Sequence, residues 1–476
     1  AGEGRGVRAP ARPSPFTAII GGTVHPISGP PIENGVVLME NGKITAVGAA
    51  AAVSYPAGTK TVDATGLHVY PGLIDADTQL GITEINSIRS TIDAREMGPF
   101  NPELRAAIAV NPDSELIPVA RANGILHAMT APSGGTISGM GALLCLDGWT
   151  WEDMAINPTA GLYMNFPLMG QRRFRETAHH CEEGAGHSHD DEESDPYFRS
   201  GAYVAASSLD TLALRYGLLP ETALGAAAAQ EPRPGGEGGR PSLETALRPL
   251  NDFLDEARRY RTARQSEGKD GVPTVRVHDP RLEAMLPVLD GRVPFFIRAD
   301  RERDIRSAVA WAKREGFRMV LVSGQEADKC ADLLARENVP VILGPTLNLP
   351  RRADAPYDDA YTIPQALAKA GVKFCLSTGD AAYVRRLPYH AAMAAAYGLP
   401  ADEALKAITL YPAQILGVAD RIGSLEPGKN ADLILTTGNP LEITSVVKAA
   451  FCGGEPVDLS NKHLRLYEKY KSRPKK

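Results

Sequence analysis

The sequence is poor in the residues that usually carry disulfide or metal chemistry. It holds 5 cysteines and 10 histidines in 476 positions. Cys145, Cys181, Cys330, Cys375 and Cys452 are scattered and odd in number, which argues against a disulfide framework. Cys145 and Cys375 lie in apolar runs and read as buried thiols that pack as small hydrophobes. No run of about 18 apolar residues is present, so no membrane span is expected. The net charge is only −6. Without a concentrated basic face, nucleic acid is not an expected partner. The first residue is Ala1, not Met. Removal of an export signal, leaving a periplasmic or secreted chain, is one reading; truncation is the other.

The chain is long enough for one large domain and a smaller one. Apolar residues make up 43% of it, which is ordinary for a folded protein. Residues 1–15 are rich in Gly, Arg and Pro and read as a flexible lead-in. From Phe16 the pattern becomes short strands separated by turn signals. Val36 to Met39 and Lys43 to Gly48 flank Asn41-Gly42, a strong two-residue hairpin signal. These few strands bury too little surface to stand alone.

The middle of the chain alternates short apolar runs with helical patterns, as a parallel barrel requires. Ile125 to Thr130 and Ala142 to Leu146 read as strands. Ser242 is placed to cap a helix from Leu243 to Arg264. After residue 290 the alternation is regular. Strands are expected at 293–297, 318–322, 340–344 and 372–377, with helices at 304–315, 326–337 and 363–370 between them. Residues 168–240 break the rhythm with acidic, polar and Gly-rich runs. They read as an insertion that can cover a pocket mouth.

Three motifs carry a family resemblance. Pro71-Gly72-Leu73-Ile74-Asp75 resembles the first barrel strand of the amidohydrolase superfamily, usually Pro-Gly-(Leu/Phe)-Ile-Asp-x-His-x-His. Gly423-Ser424-Leu425-Glu426-Pro427-Gly428-Lys429-Asn430-Ala431-Asp432-Leu433 is similar to that superfamily's Gly-Ser-(Leu/Ile)-x-Pro-Gly-Lys-x-Ala-Asp-(Leu/Ile). Thr409-Leu410-Tyr411-Pro412-Ala413 resembles its Thr-x-x-Pro-Ala. The overall pattern is similar to the imidazolonepropionase-like branch, from about residue 16 to 445. This implies an α/β fold: a TIM-like (β/α)8 barrel over 71–420, beside a composite β-sandwich made by 16–70 and 421–460. Residues 461–476 remain as a basic tail.

The resemblance also implies a divalent metal at the C-terminal end of the barrel, making hydroxide from bound water. The implied ligands are two histidines from strand one, a carbamylated lysine or glutamate from strand four, histidines from strands five and six, and an aspartate from strand eight. This chain departs from that set. Asp77 and Gln79 stand at the strand-one positions. Tyr163 stands at the strand-four position, Arg298 at strand five and Ser323 at strand six. Only Asp380, in Ser377-Thr378-Gly379-Asp380, keeps its acid.

Two readings of these residues stay open. In one, Arg298 pairs with Asp77 or Asp380 and fills the old metal site with a salt bridge. In the other, Asp380 or Asp77 is a general base and Arg298 an oxyanion stabiliser in a metal-free pocket. Gln79, Ser323, Tyr163 and His390 are the candidate substrate-contacting residues. A second candidate site is the His-acid run 179–193, where His179, His180, His187 and His189 form a peripheral metal-binding candidate. Its spacing matches no folded zinc motif, and a solvated charged loop is the plainer reading.

The functional expectation is therefore an amidohydrolase-like protein with a dismantled metal site, acting as a binding or partner subunit. The alternative is a hydrolase of C–N (non-peptide) or ester bonds, metal-independent or with atypical ligands. No cofactor is expected, with zinc as the alternative. The expected partners are a small molecule in the barrel mouth and a second subunit, either another copy or an active paralogue.

Overall fold

The hairpin expected at Asn41-Gly42 is present. Strands β1 (Phe16–Val24), β2 (Ile32–Glu40) and β3 (Lys43–Ala49) form an antiparallel run. Asn41 and Gly42 take φ of 50° and 80°, the left-handed pair that a tight hairpin turn needs. Strands β4 (Lys60–Asp63) and β5 (His68–Pro71) pair with β1 in parallel. These features come from a computed structural model that describes residues 16–167, 242–266, 278–350 and 355–474. The expected lead-in 1–15 and insertion 168–240, with the run 179–193, lie outside the described residues.

By packing, the chain divides into two units. One is Ala1–Phe166 with Asp252–Lys476; the other is Pro167–Asn251. In the second unit the described residues begin the helix Leu243–Ser266. Its first turn is capped as expected, with the Thr245 amide donating to Ser242 Oγ at 3.2 Å.

Eight strands make the main sheet of the first unit. They are β6 (Leu73–Thr78), β7 (Ile125–Thr130), β8 (Ile137–Cys145), β9 (Ala155–Asn165), β10 (Phe295–Ala299), β11 (Met319–Ser323), β12 (Val341–Leu343) and β13 (Phe374–Leu376). They lie side by side in chain order. All neighbours are parallel except the two pairs made by β8. The regular all-parallel (β/α)8 expectation therefore needs one correction. Only Ala131–Thr136 joins β7 to β8. That is too short for the crossover of a dozen or more residues that a parallel connection needs.

The sheet nearly closes on itself. Across the gap between β13 and β6, the Gly379 amide donates to the Asp77 carbonyl at 3.0 Å. Thr78 Oγ1 donates to the Asp380 carbonyl at 2.5 Å. The core joins strands around the barrel through Met129, Leu143, Tyr163, Phe296, Val322 and Ile342. Helix Glu302–Glu315 covers β10 and β11 and buries Ile305, Ala308, Val309, Trp311 and Ala312, one apolar face at helical spacing. The helix expected over 326–337 is split into a 3-10 turn, Ala327–Cys330, and a short helix, Ala331–Arg336. Cys330 lies at the break, with φ −119° and ψ 8°.

The chain then returns to the first sheet. Strands β14 (Leu433–Thr436), β15 (Val447–Cys452) and β16 (Glu455–Pro456) extend it from β5, so both ends of the chain share one sheet. Ile19, Val37, Ile44, Val69, Leu433 and Phe451 pack together there. The segment expected as a basic tail is helical over Lys462–Lys471. Asn461 Oδ1 caps it by accepting from the Leu464 amide at 3.1 Å. No helix among the described residues is long and apolar enough to cross a membrane.

Candidate functional site

The C-terminal ends of the barrel strands bring three of the sequence candidates together. Asp77 is buried near the end of β6. Arg298 reaches it from β10 and donates through both terminal nitrogens, Nη1 to Oδ2 and Nη2 to Oδ1, each at 2.8 Å. This is the planar two-pronged match between guanidinium and carboxylate. The side chains are 24% and 6% exposed, so the pair is largely withdrawn from water. Tyr163, from β9, lies under the guanidinium with its ring centre 5.1 Å from Cζ. The ring is held edge-on by Phe296 at 5.1 Å. Arg298 therefore meets a carboxylate at its tip and a π face on one side.

Tyr163 is fully buried. Its hydroxyl makes no hydrogen bond of acceptable geometry among the described residues. Burial, then the Asp77 charge, pushes its phenol well above the ordinary range. It stays a neutral ring.

Asp380 does not join the pair. Its Oδ1 accepts from the backbone amides of Ala382 at 2.6 Å and Tyr383 at 3.1 Å, in the turn that follows β13. Of the two aspartates offered as partners for Arg298, Asp77 takes the role.

Gln79 lies just past β6. Its Nε2 donates to Ser133 Oγ at 3.2 Å, and its Oε1 accepts from Thr83 Oγ1 at 3.3 Å. It ties the first barrel loop to the second. Ser323 ends β11 with φ 75°, a left-handed conformation that costs a residue with a Cβ on the order of 1 kcal/mol. Its carbonyl accepts from the Gly344 amide at 2.9 Å.

His390 is buried against the loop that follows β12. Its Nδ1 accepts from the amides of Thr346 at 3.1 Å and Leu347 at 3.2 Å. Burial, then Arg386, holds its pKa down at about 3. It is a neutral acceptor that shapes the loop.

Sequence reasoning missed one member of this region. Asp75, two residues before Asp77, is fully buried. Its Oδ1 accepts from the amides of Thr378 at 3.2 Å and Asp77 at 3.3 Å, and its Oδ2 accepts from Thr378 Oγ1. Burial raises its pKa to about 7 despite these donors. Burial, then the charges of Asp75 and Asp77, pushes the Cys375 thiol well above its usual range. The Asp75 signal lay in the family motif itself, where the aspartate precedes the ligand positions.

The donor set does not fit the metal that the resemblance implies. No imidazole stands at the ends of strands one, five or six. Asp77 spends both oxygens on Arg298. A guanidinium beside that carboxylate is a fixed positive charge where a dication would have to sit. Among the described residues, no three His, Cys, Asp or Glu side chains are grouped to hold a metal ion. His179, His180, His187 and His189 lie outside the described residues.

Parts of the chain and its fold are similar to known proteins. The model of the amidohydrolase family matches residues 309–457. Amidohydrolase tasK from Hapsidospora irregularis is 34% identical over 74 residues, or 14% of this chain. The chain spans 8% of the length of that curated relative. An amidohydrolase from Thermotoga maritima MSB8 superimposes over 93% of this chain and 99% of its own, with a TM-score of 0.73 and 26% identity. A molinate hydrolase structure covers 97% of this chain and 98% of its own at a TM-score of 0.50 and 14% identity, which speaks to fold alone. The fold is that of the amidohydrolase barrels, with a second sheet beside the barrel.

Proposed function

We propose that this chain is an amidohydrolase-like barrel, nearest the imidazolonepropionase-like branch, whose metal site has been replaced by a salt bridge. It acts as a small-molecule binding protein or as a partner subunit rather than as a metal-dependent hydrolase. The second sheet is, in this reading, the composite sandwich that accompanies such barrels. One observation carries the reading: Arg298 binds Asp77 through two 2.8 Å hydrogen bonds at the strand ends where the family's ligands stand. An arginine cannot release its proton to become a ligand. Moving it would strand Asp77 as a buried, unpaired charge.

The test is elemental analysis of protein purified without a histidine tag, on the full chain and on a variant lacking residues 179–193. Metal well below one equivalent in the full chain supports the reading. Metal lost only with the deletion would assign it to the His-acid run and leave the barrel reading intact. Near-stoichiometric zinc that survives the deletion sinks it. Metal-free protein is then screened with lactams, cyclic ureas, N-acyl amino acids and esters. Turnover abolished by Asp380→Asn would replace the binding role with a metal-independent hydrolase.

A further inference from the structure

A second polar cluster lies between the barrel and the two-ended sheet, at the opposite end of the barrel strands from Arg298. His127 in β7 is the cross-strand partner of Cys145 at the end of β8. The Leu146 amide donates to the Leu126 carbonyl at 2.8 Å, so His127 and Cys145 form the adjacent close pair, with side chains on one face. His127 Nε2 meets Asp432 Oδ2 at 3.0 Å. The other oxygen, Oδ1, accepts from the Gly453 amide at 2.7 Å. Gly453 immediately follows Cys452, the last residue of β15. The ion pair thus brings the two cysteines to one place from strands 307 positions apart, near enough for each thiol to shift the other's titration. Both cysteines are partly exposed.

We propose that Cys145 and Cys452 are a reversible redox pair, whose disulfide ties the barrel covalently to the sheet shared by the two chain ends. The Cys452 thiol, the cationic side of His127 and the Asp147 amide favour a thiolate at Cys145, which lies below its usual range. Cys145, burial and Asp432 raise the Cys452 thiol. Cys145, the cross-strand neighbour of the His127 imidazole, is assigned as the attacking sulfur.

The oxidant is a low-molecular-weight disulfide, R–S–S–R. Cys145 Sγ attacks one of its sulfurs, the S–S bond breaks, and RS− leaves with the proton that Cys145 gave up. Cys452 Sγ then attacks Cys145 Sγ in the mixed disulfide. The second RS− departs with the Cys452 proton. Two protein thiols are oxidised and one R–S–S–R is reduced to two RSH. The bond closes a very long loop, so it should stabilise the folded chain. The cluster shares no residue with the Arg298 site, so this inference does not rest on the proposed function.

The test uses the full chain in glutathione buffers from fully reducing to fully oxidising, with diamide added in a separate arm so that slow access cannot limit the result. Free thiols are alkylated after unfolding and the digest is mapped by mass spectrometry. The expected result is one crosslinked peptide pair containing Cys145 and Cys452, loss of two hydrogens from the intact mass, and a thermal midpoint several degrees higher. Dithiothreitol reverses all three, and neither Cys145→Ser nor Cys452→Ser forms the pair. Full alkylation of both cysteines in the oxidising and diamide arms overturns the proposal. So does a crosslink of either one to Cys181, or a glutathione adduct that never resolves.

Discussion

Arg298 and Asp77 lie 221 positions apart in the sequence and meet through two 2.8 Å hydrogen bonds at the C-terminal ends of β10 and β6, which three strands separate in the barrel sheet. Their value to the fold lies in what happens when one is removed. Arg298→Ala leaves a carboxylate that is 6% exposed without its counter-charge. Loss on the order of 3 kcal/mol is expected, read as a lower urea midpoint at pH 7. The double variant Asp77→Ala/Arg298→Ala should lose less than the two single variants added together. Additive losses would mean that the pair is not coupled.

Tyr163 holds its position only because Gly141 has no side chain. A Cβ on Gly141 would lie 2.6 Å from Tyr163 Cε2 and 2.7 Å from Met129 Cε. Both neighbours are fully buried. Gly141→Ala should therefore cost about 1–3 kcal/mol by overpacking and tilt the ring away from the guanidinium. The thermal midpoint reads the first effect. The second is read by combining Gly141→Ala with Arg298→Ala, where a shortfall from additivity of the two losses is expected.

Much of this was legible in the sequence, for physical reasons. The Asn41-Gly42 turn is local chemistry, and so are the apolar runs that became β7 and β10. The motif breaks expected at Asp77 and Arg298 were legible because the neighbouring residues set the register, whereas Tyr163 was placed at strand four without a motif to fix it. The direction of β8 was not visible in its own residues, although the short link from Ala131 to Thr136 already carried the constraint. Nor was the choice of Asp77 over Asp380 as partner. It depends on the amides of Ala382 and Tyr383 turning toward Asp380, which is a matter of loop shape. His127 showed no partner in sequence because Asp432 lies 305 positions away. Asp75 was passed over because its environment is supplied by Thr378, across the barrel seam.

His390 gives a pH signature of one sign. Its pKa is about 3 in the folded chain against an ordinary 6.5. Between those values the unfolded chain binds more protons, so stability falls as pH drops from about 6.5 toward 3. His390→Gln keeps a side-chain acceptor for the Thr346 and Leu347 amides but does not titrate. The variant should be less stable than wild type at pH 7.5, by about 1 kcal/mol, and the gap should close and reverse by pH 5, because wild type alone loses about 1.4 kcal/mol per unit below pH 6.5. A gap that stays constant with pH, followed by urea unfolding at both values, would show that His390 is not held neutral.

Asp75 gives the opposite sign. Its folded pKa is about 7 against an ordinary 3.8. The folded chain holds the proton through that window while the unfolded chain has released it. Stability that is fully present below pH 4 is therefore lost as pH rises toward 7, by roughly 1.4 kcal/mol for each unit of pH within the window. The donors from Thr378 and Asp77 do not reverse this, because full burial outweighs them. Asp75→Asn mimics the neutral acid and does not titrate. Measured by urea unfolding from pH 5 to pH 8, the stability of wild type relative to Asp75→Asn should fall steadily to about pH 7 and then level. A difference that is flat across the range, or that rises, would mean that Asp75 is ionised inside the fold. Thr378 and the barrel seam would then be holding a buried anion rather than a neutral acid.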